Sequence, residues 1–224
     1  MAEPKYRSVF DIIGPVMIGP SSSHTAGAVR IGKLARALHG MDVERAEVTF
    51  YGSFKETYRG HGTDRAIAAG ILNMDPHDER VREALELARE KGIAIEFLES
   101  TQDAEHPNTA RVRLMSDAHM SELVGISIGG GKVEIVEILG FPVQLSGDVP
   151  TVIIRHIDRH GMIARVAQVL ADYAINIATM HVSRKAKGEQ ALMTIEVDET
   201  PPDEALTAIH AFDGILGAHL LYLP

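Results

Sequence analysis

The sequence contains no cysteine and no tryptophan among its 224 residues. The first absence excludes disulfides, thiol nucleophiles, zinc ribbons and any iron–sulfur cluster held by this chain's own thiolates. The second, with aromatic residues at only 5%, argues against a stacking platform for single-stranded nucleic acid. Positive charge is also in deficit: 22 Lys and Arg stand against 31 Asp and Glu, a net of −9. Nucleic-acid binding needs a basic footprint, and the short tetrad Arg184-Lys185-Ala186-Lys187 reads instead as a solvated hairpin tip. No apolar run approaches the ~18 residues of a membrane span. Met1–Arg7 lead into no apolar signal region. The expectation is a cytoplasmic protein that engages neither nucleic acid nor membrane.

What remains is ordinary in bulk. Hydrophobic residues at 45% and charged residues at 24% describe a folded chain of one large or two small domains. The turn-rich stretch Leu145-Ser146-Gly147-Asp148-Val149-Pro150 divides it into 1–147 and 148–224. In the second part Thr151–Arg155 is a β-branched run, and Met162, Ile163, Val166, Val169, Leu170 and Tyr173 recur at helical period. Ala174–Arg184 reads as a strand. Met193, Ile195 and Val197 alternate with polar neighbours, Pro201–Glu204 opens a second helix, and Ala218–Leu223 closes the unit. The order βαββαβ is that of a ferredoxin-like split unit. The first part is α+β. Helices are expected at Thr25–Leu38, Thr63–Leu72 and Asp78–Lys91. Strands are expected at Glu47–Ser53, Ile93–Leu98, Thr109–Met115, Leu123–Ile128 and Lys132–Ile138.

Histidine, at 11 residues, is the plentiful reactive type. Gly19-Pro20-Ser21-Ser22-Ser23-His24-Thr25 stands directly before a helix whose first turn, Ala26-Gly27-Ala28, is nearly bare. Such a terminus offers free N–H groups to a carboxylate or phosphate, and His24 can move a proton near neutral pH. An N-cap serine with incidental neighbours is the plainer reading. Tyr58-Arg59-Gly60-His61-Gly62-Thr63-Asp64 sets a second histidine between glycines before a helix; His106-Pro107-Asn108-Thr109 precedes a strand. Taken alone, each reads more simply as a turn. Ser127-Ile128-Gly129-Gly130-Gly131-Lys132 lacks the spacing of a phosphate loop, leaving a glycine hairpin or a backbone cradle for a small anion. His156 and His160 lie in a loop without the pattern of a metal site.

The segments KYRSVFDIIGPVMIGPSSSHTAG, YGSFKETYRGHGTDRA, HPNTA and GISIGGGKVEI together resemble the β subunit of bacterial iron–sulfur L-serine dehydratase, from Lys5 to about Gly147. The remainder resembles the ACT domain that ends this subunit in the two-chain form. The resemblance implies conversion of L-serine to pyruvate and ammonia with a 4Fe–4S cluster as cofactor. Because this chain lacks cysteine, the cluster is expected on a separate, cysteine-bearing α subunit, with no metal ligand from this chain. By the same resemblance His24 and His61 are candidates for proton transfer, with no basis for choosing between them. Ser21, Ser22, Ser23 and Thr25 are candidates for the substrate carboxylate. His106, Asn108, Thr109, Ser127, Gly129, Gly130 and Gly131 are expected to wall the pocket. ACT domains commonly pair across subunits and bind an amino acid at the interface, which implicates Asp158, Gly161 and Asn176. His160 stands where many such loops carry proline, so a purely dimerising ACT domain stays open. A stand-alone amino-acid-sensing regulator is the competing reading.

Overall fold

The computed structural model describes residues 15–117 and 119–223. The chain forms two units, one ending at Ser146 and the other beginning at Gly147.

In the first unit a π-helical turn, Ser22–Gly27, runs directly into helix α1, Ala28–His39. Strand β1 (Arg45–Tyr51) follows, then α2 (Gly52–His61), α3 (Thr63–Ile71), a 3-10 turn (Glu79–Glu83) and α4 (Ala84–Glu90). Strands β2 (Ala94–Glu99), β3 (Thr109–Ser116), β4 (His119–Gly129), β5 (Lys132–Ile138) and β6 (Phe141–Leu145) complete it. They form one sheet in the order β2-β1-β3-β4-β5-β6, in which only β1 and β2 run parallel.

Helix α1 lies on this sheet against β3, β4 and β5, and α3 packs on α1. The helices cross where Gly32 meets Gly70: a Cβ on Gly70 would stand 2.1 Å from the Val29 carbonyl oxygen. Only glycine allows backbones to approach so closely. On β3, Val112 and Leu114 point into the core while Arg111 and Arg113 face the other way. There Arg111 pairs with Glu122 and Glu137, and Arg113 with Glu47 and Glu122.

Several sequence expectations are corrected here. The strand expected through Ser53 ends at Tyr51, and α2 occupies the segment taken for strand and turn. Only Phe54 and Tyr58 of α2 are buried, too sparse a stripe to announce a helix. The helix expected at Asp78–Lys91 is divided into the 3-10 turn and α4, and β6 was not expected.

The second unit runs β7 (Thr151–Ile157), α5 (Met162–Asp172), β8 (Ile177–Arg184), β9 (Gln190–Val197), α6 (Asp203–His210) and β10 (Ile215–Leu221). This is the βαββαβ order of the ferredoxin-like ACT fold, with the sheet in the order β10-β7-β9-β8. Its core joins Val152 and Ile154 of β7 to Met193, Ile195 and Val197 of β9, with Val166, Leu170, Ala205 and Ile209 from the helices. Ile163 and Tyr173, expected on the buried face of α5, are exposed: Ile163 lies off the stripe, and Tyr173 falls past the helix end. His156 lies not in a loop but in β7, buried, with its Nδ1 2.9 Å from the Ile157 carbonyl oxygen. The strand expected from Ala174 begins at Ile177, because Ala174 takes φ +56° in a turn.

Candidate active site

The serine run forms the mouth of α1. Ser21 caps the π-helical turn, its Oγ accepting from the His24 backbone N–H at 3.3 Å and lying 3.4 Å from His24 Nδ1. The Thr25 N–H donates to the Ser21 carbonyl at 2.8 Å. Ser22 and Ser23 lie half-buried in the same turn. The small residues after His24 let this turn sit close to β4: a Cβ on Gly27 would lie 2.1 Å from Ser127 Oγ. Alanine there has no room.

The end of α2 brings in the second histidine. His61 is the last residue of α2, which Gly62 terminates at φ +71°. The His24 and His61 rings stand 4.9 Å apart by centroid, tilted at 35°. Phe54, one face of α2 nearer its start, presses against the His24 ring at 5.1 Å. His61 is exposed and His24 half-buried. Burial, and then the neighbouring His61, hold the His24 pKa below the ordinary imidazole value. His24 is therefore held as the neutral ring at neutral pH, with its Nε2 buried and unpartnered.

Ser127 is fully buried, and its Oγ likewise has no hydrogen-bond partner. Asn108 holds it through the backbone: the Ser127 N–H donates to the Asn108 carbonyl at 2.9 Å, and Asn108 Nδ2 to the Ser127 carbonyl at 3.4 Å. His106 and Thr109 work inside their own loop. His106 Nδ1 accepts from the Asn108 N–H, and the Thr109 hydroxyl donates to the His106 carbonyl at 2.6 Å. The Phe54 N–H donates to Pro107 O at 3.3 Å, tying this loop to α2. Gly129, Gly130 and Gly131 form the turn between β4 and β5, all at positive φ, and Gly131 packs beside Ala26 of the π-helical turn. The serine run, both histidines, Ser127 and the glycine turn thus converge.

Phe54, against the His24 ring, and Thr63, two residues past His61 in the chain, were not among the candidates read from the sequence. Thr63, the first residue of α3, is fully buried with an unpartnered Oγ1, as is Thr25. Phe54 could not be placed while α2 went unseen. An unsatisfied buried polar atom costs about 1–3 kcal/mol. His24 Nε2, Thr25 Oγ1, Thr63 Oγ1 and Ser127 Oγ are in that state, as are His39 Nε2 and His156 Nε2 elsewhere in the chain.

In the second unit the candidate residues do not gather. Asp158 Oδ2 accepts from the Gly188 N–H at 3.1 Å and from Arg184 at 2.8 Å, and these two donors hold its carboxyl below the usual range. Gly161 begins α5 at φ +82°. Asn176 lies beyond the other end of α5, donating from Nδ2 to Asp198 at 2.7 Å. The eleven residues of α5, about 16 Å of helix, separate them, so one copy does not assemble the three.

The family profile described as serine dehydratase beta chain matches residues 8–137, the span that holds both histidines, Ser127 and the glycine turn. The chain belongs to the serine dehydratase beta chain family. The ACT domain profile matches residues 151–214. The chain is 54% identical over 212 residues, 95% of its length and 96% of the relative's, to the probable L-serine dehydratase beta chain of Bacillus subtilis. It is 33% identical over 204 residues, 90% and 92% of the two lengths, to the L-serine dehydratase beta chain of Peptoniphilus asaccharolyticus. A D-3-phosphoglycerate dehydrogenase of Methanocaldococcus jannaschii is 36% identical over 116 residues, 52% of this chain but 22% of that protein. As a serine dehydratase beta chain, the protein has its role in that enzyme. An iron–sulfur cluster does not fit this chain's own residues: there is no cysteine, and no group of three His, Asp or Glu among the described residues could hold a metal ion. No helix among the described residues is long and apolar enough to cross a membrane.

Proposed function

We propose that this chain forms the substrate-facing wall of an L-serine ammonia-lyase whose 4Fe–4S cluster is carried by a separate, cysteine-bearing α subunit. The observation that carries the reading is the set of buried, unpartnered polar atoms: His24 Nε2, Thr25 Oγ1, Thr63 Oγ1 and Ser127 Oγ. In this reading Thr25 and Ser127 donate to the L-serine carboxylate, helped by the free N–H groups of the serine turn. With Nδ1–H donated to Ser21 Oγ, the His24 lone pair sits on Nε2 and accepts the α-proton. His61, exposed and one ring away, passes that proton to solvent. Loss of the substrate hydroxyl is the part assigned to the partner's cluster. The resulting aminoacrylate hydrolyses to pyruvate and ammonia. Self-association through the ACT unit and a cytoplasmic location belong to the same proposal.

The test is anaerobic pyruvate release from L-serine by this chain alone, by the α subunit alone, and by the two combined after cluster reconstitution. Turnover only in the mixture is expected. Turnover by the α subunit alone sinks the shared pocket and makes this chain an accessory.

A further inference from the structure

Away from the histidines, the first unit holds a second recess. Strands β1 and β2 run side by side in parallel, Phe50 opposite Glu99, and β1 passes at its carboxyl end into α2. The crevice beyond the carboxyl ends of parallel strands is a recurrent place for ligands. Here it is a cavity of about 320 Å³ lined by Lys55, Glu56, Tyr58 and Arg59 of α2 and by Glu99 at the end of β2. That volume lies at the small end of ligand pockets.

The lining carries two cations, two carboxylates and a phenol. Lys55 and Arg59 are four apart and share one helix face. Lys55 Nζ donates to the Ser100 carbonyl at 3.1 Å, and the Tyr58 hydroxyl to one Glu99 oxygen at 3.2 Å. The second Glu99 oxygen, the Glu56 carboxylate and the Arg59 guanidinium make no hydrogen bond or ion pair among the described residues. Arg59 rests over the Tyr58 ring, 5.3 Å from its centroid. A lone anion entering this recess meets two carboxylates, and a lone cation meets two positive heads. A zwitterion finds opposite charge at both ends.

We propose that this recess binds a small free α-amino acid, its carboxylate on the Arg59 fork and its ammonium between Glu99 and Glu56, at a site separate from the histidine pair. Arg59 stands two residues before His61 on the same helix, so an occupied recess acts on the element that carries His61. That consequence for turnover rests on the dehydratase reading; the binding itself does not.

The experiment follows backbone amide signals of the full-length, isotope-labelled chain during titration with L-serine, and separately with acetate and with ethanolamine. Saturable shifts are expected across Lys55–Arg59 and Glu99–Ser100. Acetate and ethanolamine should each bind at least about tenfold more weakly, as should L-serine to Arg59→Gln, which loses a charge-assisted pair. Glu99→Gln gives the same answer from the ammonium side should Arg59→Gln fold poorly. Shifts confined to Ser21–Thr25 and Ser127, shifts confined to residues after 147, no shifts at all, or unchanged affinity in both variants would overturn the proposal. If the recess stays silent while the reconstituted complex still needs His24, the recess fails and the dehydratase reading stands. The reverse outcome sinks only the latter.

Discussion

His24 and His39 are both kept neutral by burial, with different consequences. For His24 the consequence is kinetic. A base must be unprotonated to act, and its pKa sits below 6.5 because of burial and then His61. The acid limb of kcat/KM in the reconstituted complex should therefore fall at a pH below 6.5, and His61→Asn should move it upward by removing the second cause. His24→Ala should lower kcat by ~10²-fold or more with assembly intact. Near-normal turnover in that variant would remove His24 from the chemistry. For His39 the consequence is thermodynamic. Its ring is fully buried at the end of α1, 3.0 Å from Ser121 Oγ and 5.1 Å by centroid from His119. Burial first, then His119, brings its pKa down to about 4 from 6.5. The unfolded chain takes up a proton near 6.5 and the folded chain only near 4, so stability declines as pH drops through that window. The loss is of order 3 kcal/mol, and His39→Gln should flatten it in urea midpoints measured against pH.

At the scale of elements, small residues decide what can meet. Gly70→Ala drives a Cβ to 2.1 Å from the Val29 carbonyl and 2.7 Å from the Lys33 nitrogen. Those are backbone atoms and cannot step aside, so the α1–α3 crossing must open at a cost of about 3 kcal/mol. Gly60→Ala in α2 meets nothing within 4 Å and gains helix propensity, so it should be neutral or stabilising by up to ~1 kcal/mol. Thermal midpoints of the two variants should move in opposite directions or differ by several degrees. The same elements explain what the sequence could disclose. The second unit was readable because α5 buries a regular stripe, Met162, Val166, Val169 and Leu170, and because Met193, Ile195 and Val197 alternate with polar residues in the sequence, although β9 is buried nearly throughout, Thr194 included, rather than on one face. The serine run was legible from its residues as the cap of a helix, which Ser21 is; the family resemblance, not the spacing, made it a site candidate. Helix α2 was not legible, since a single buried pair, Phe54 and Tyr58, leaves no period to detect. With α2 unseen, nothing in the spacing brought His24 and His61 together; only the family resemblance put them at one pocket. Nor could the sequence disclose the bracing of Ser127 by Asn108, which depends on register between β3 and β4, or the bond of the Thr109 hydroxyl to the His106 carbonyl within their own loop.

At the scale of the molecule, each unit buries a core of its own. The first is built on Ile31, Leu34, Phe50, Phe54 and Leu114, the second on Ile154, Leu170, Met193 and Ile195. A cavity cut in one core removes contacts that belong to that unit. Ile154→Ala deletes a fully buried side chain from β7 and should cost the second unit about 2–5 kcal/mol. Amide hydrogen exchange should then accelerate throughout β7, β9 and α5, which share that core. Exchange in β1, β3 and α1 should keep its wild-type rate, because none of their buried partners has changed. Leu114→Ala should give the mirror image, with exchange released at the serine turn as well, since that turn packs on β4, the strand paired with β3. Loss of protection in both units from either substitution would mean that the chain unfolds as a single cooperative body. The two substitutions therefore separate the units by their cores: protection lost in one unit alone means that the buried contacts of the other hold by themselves.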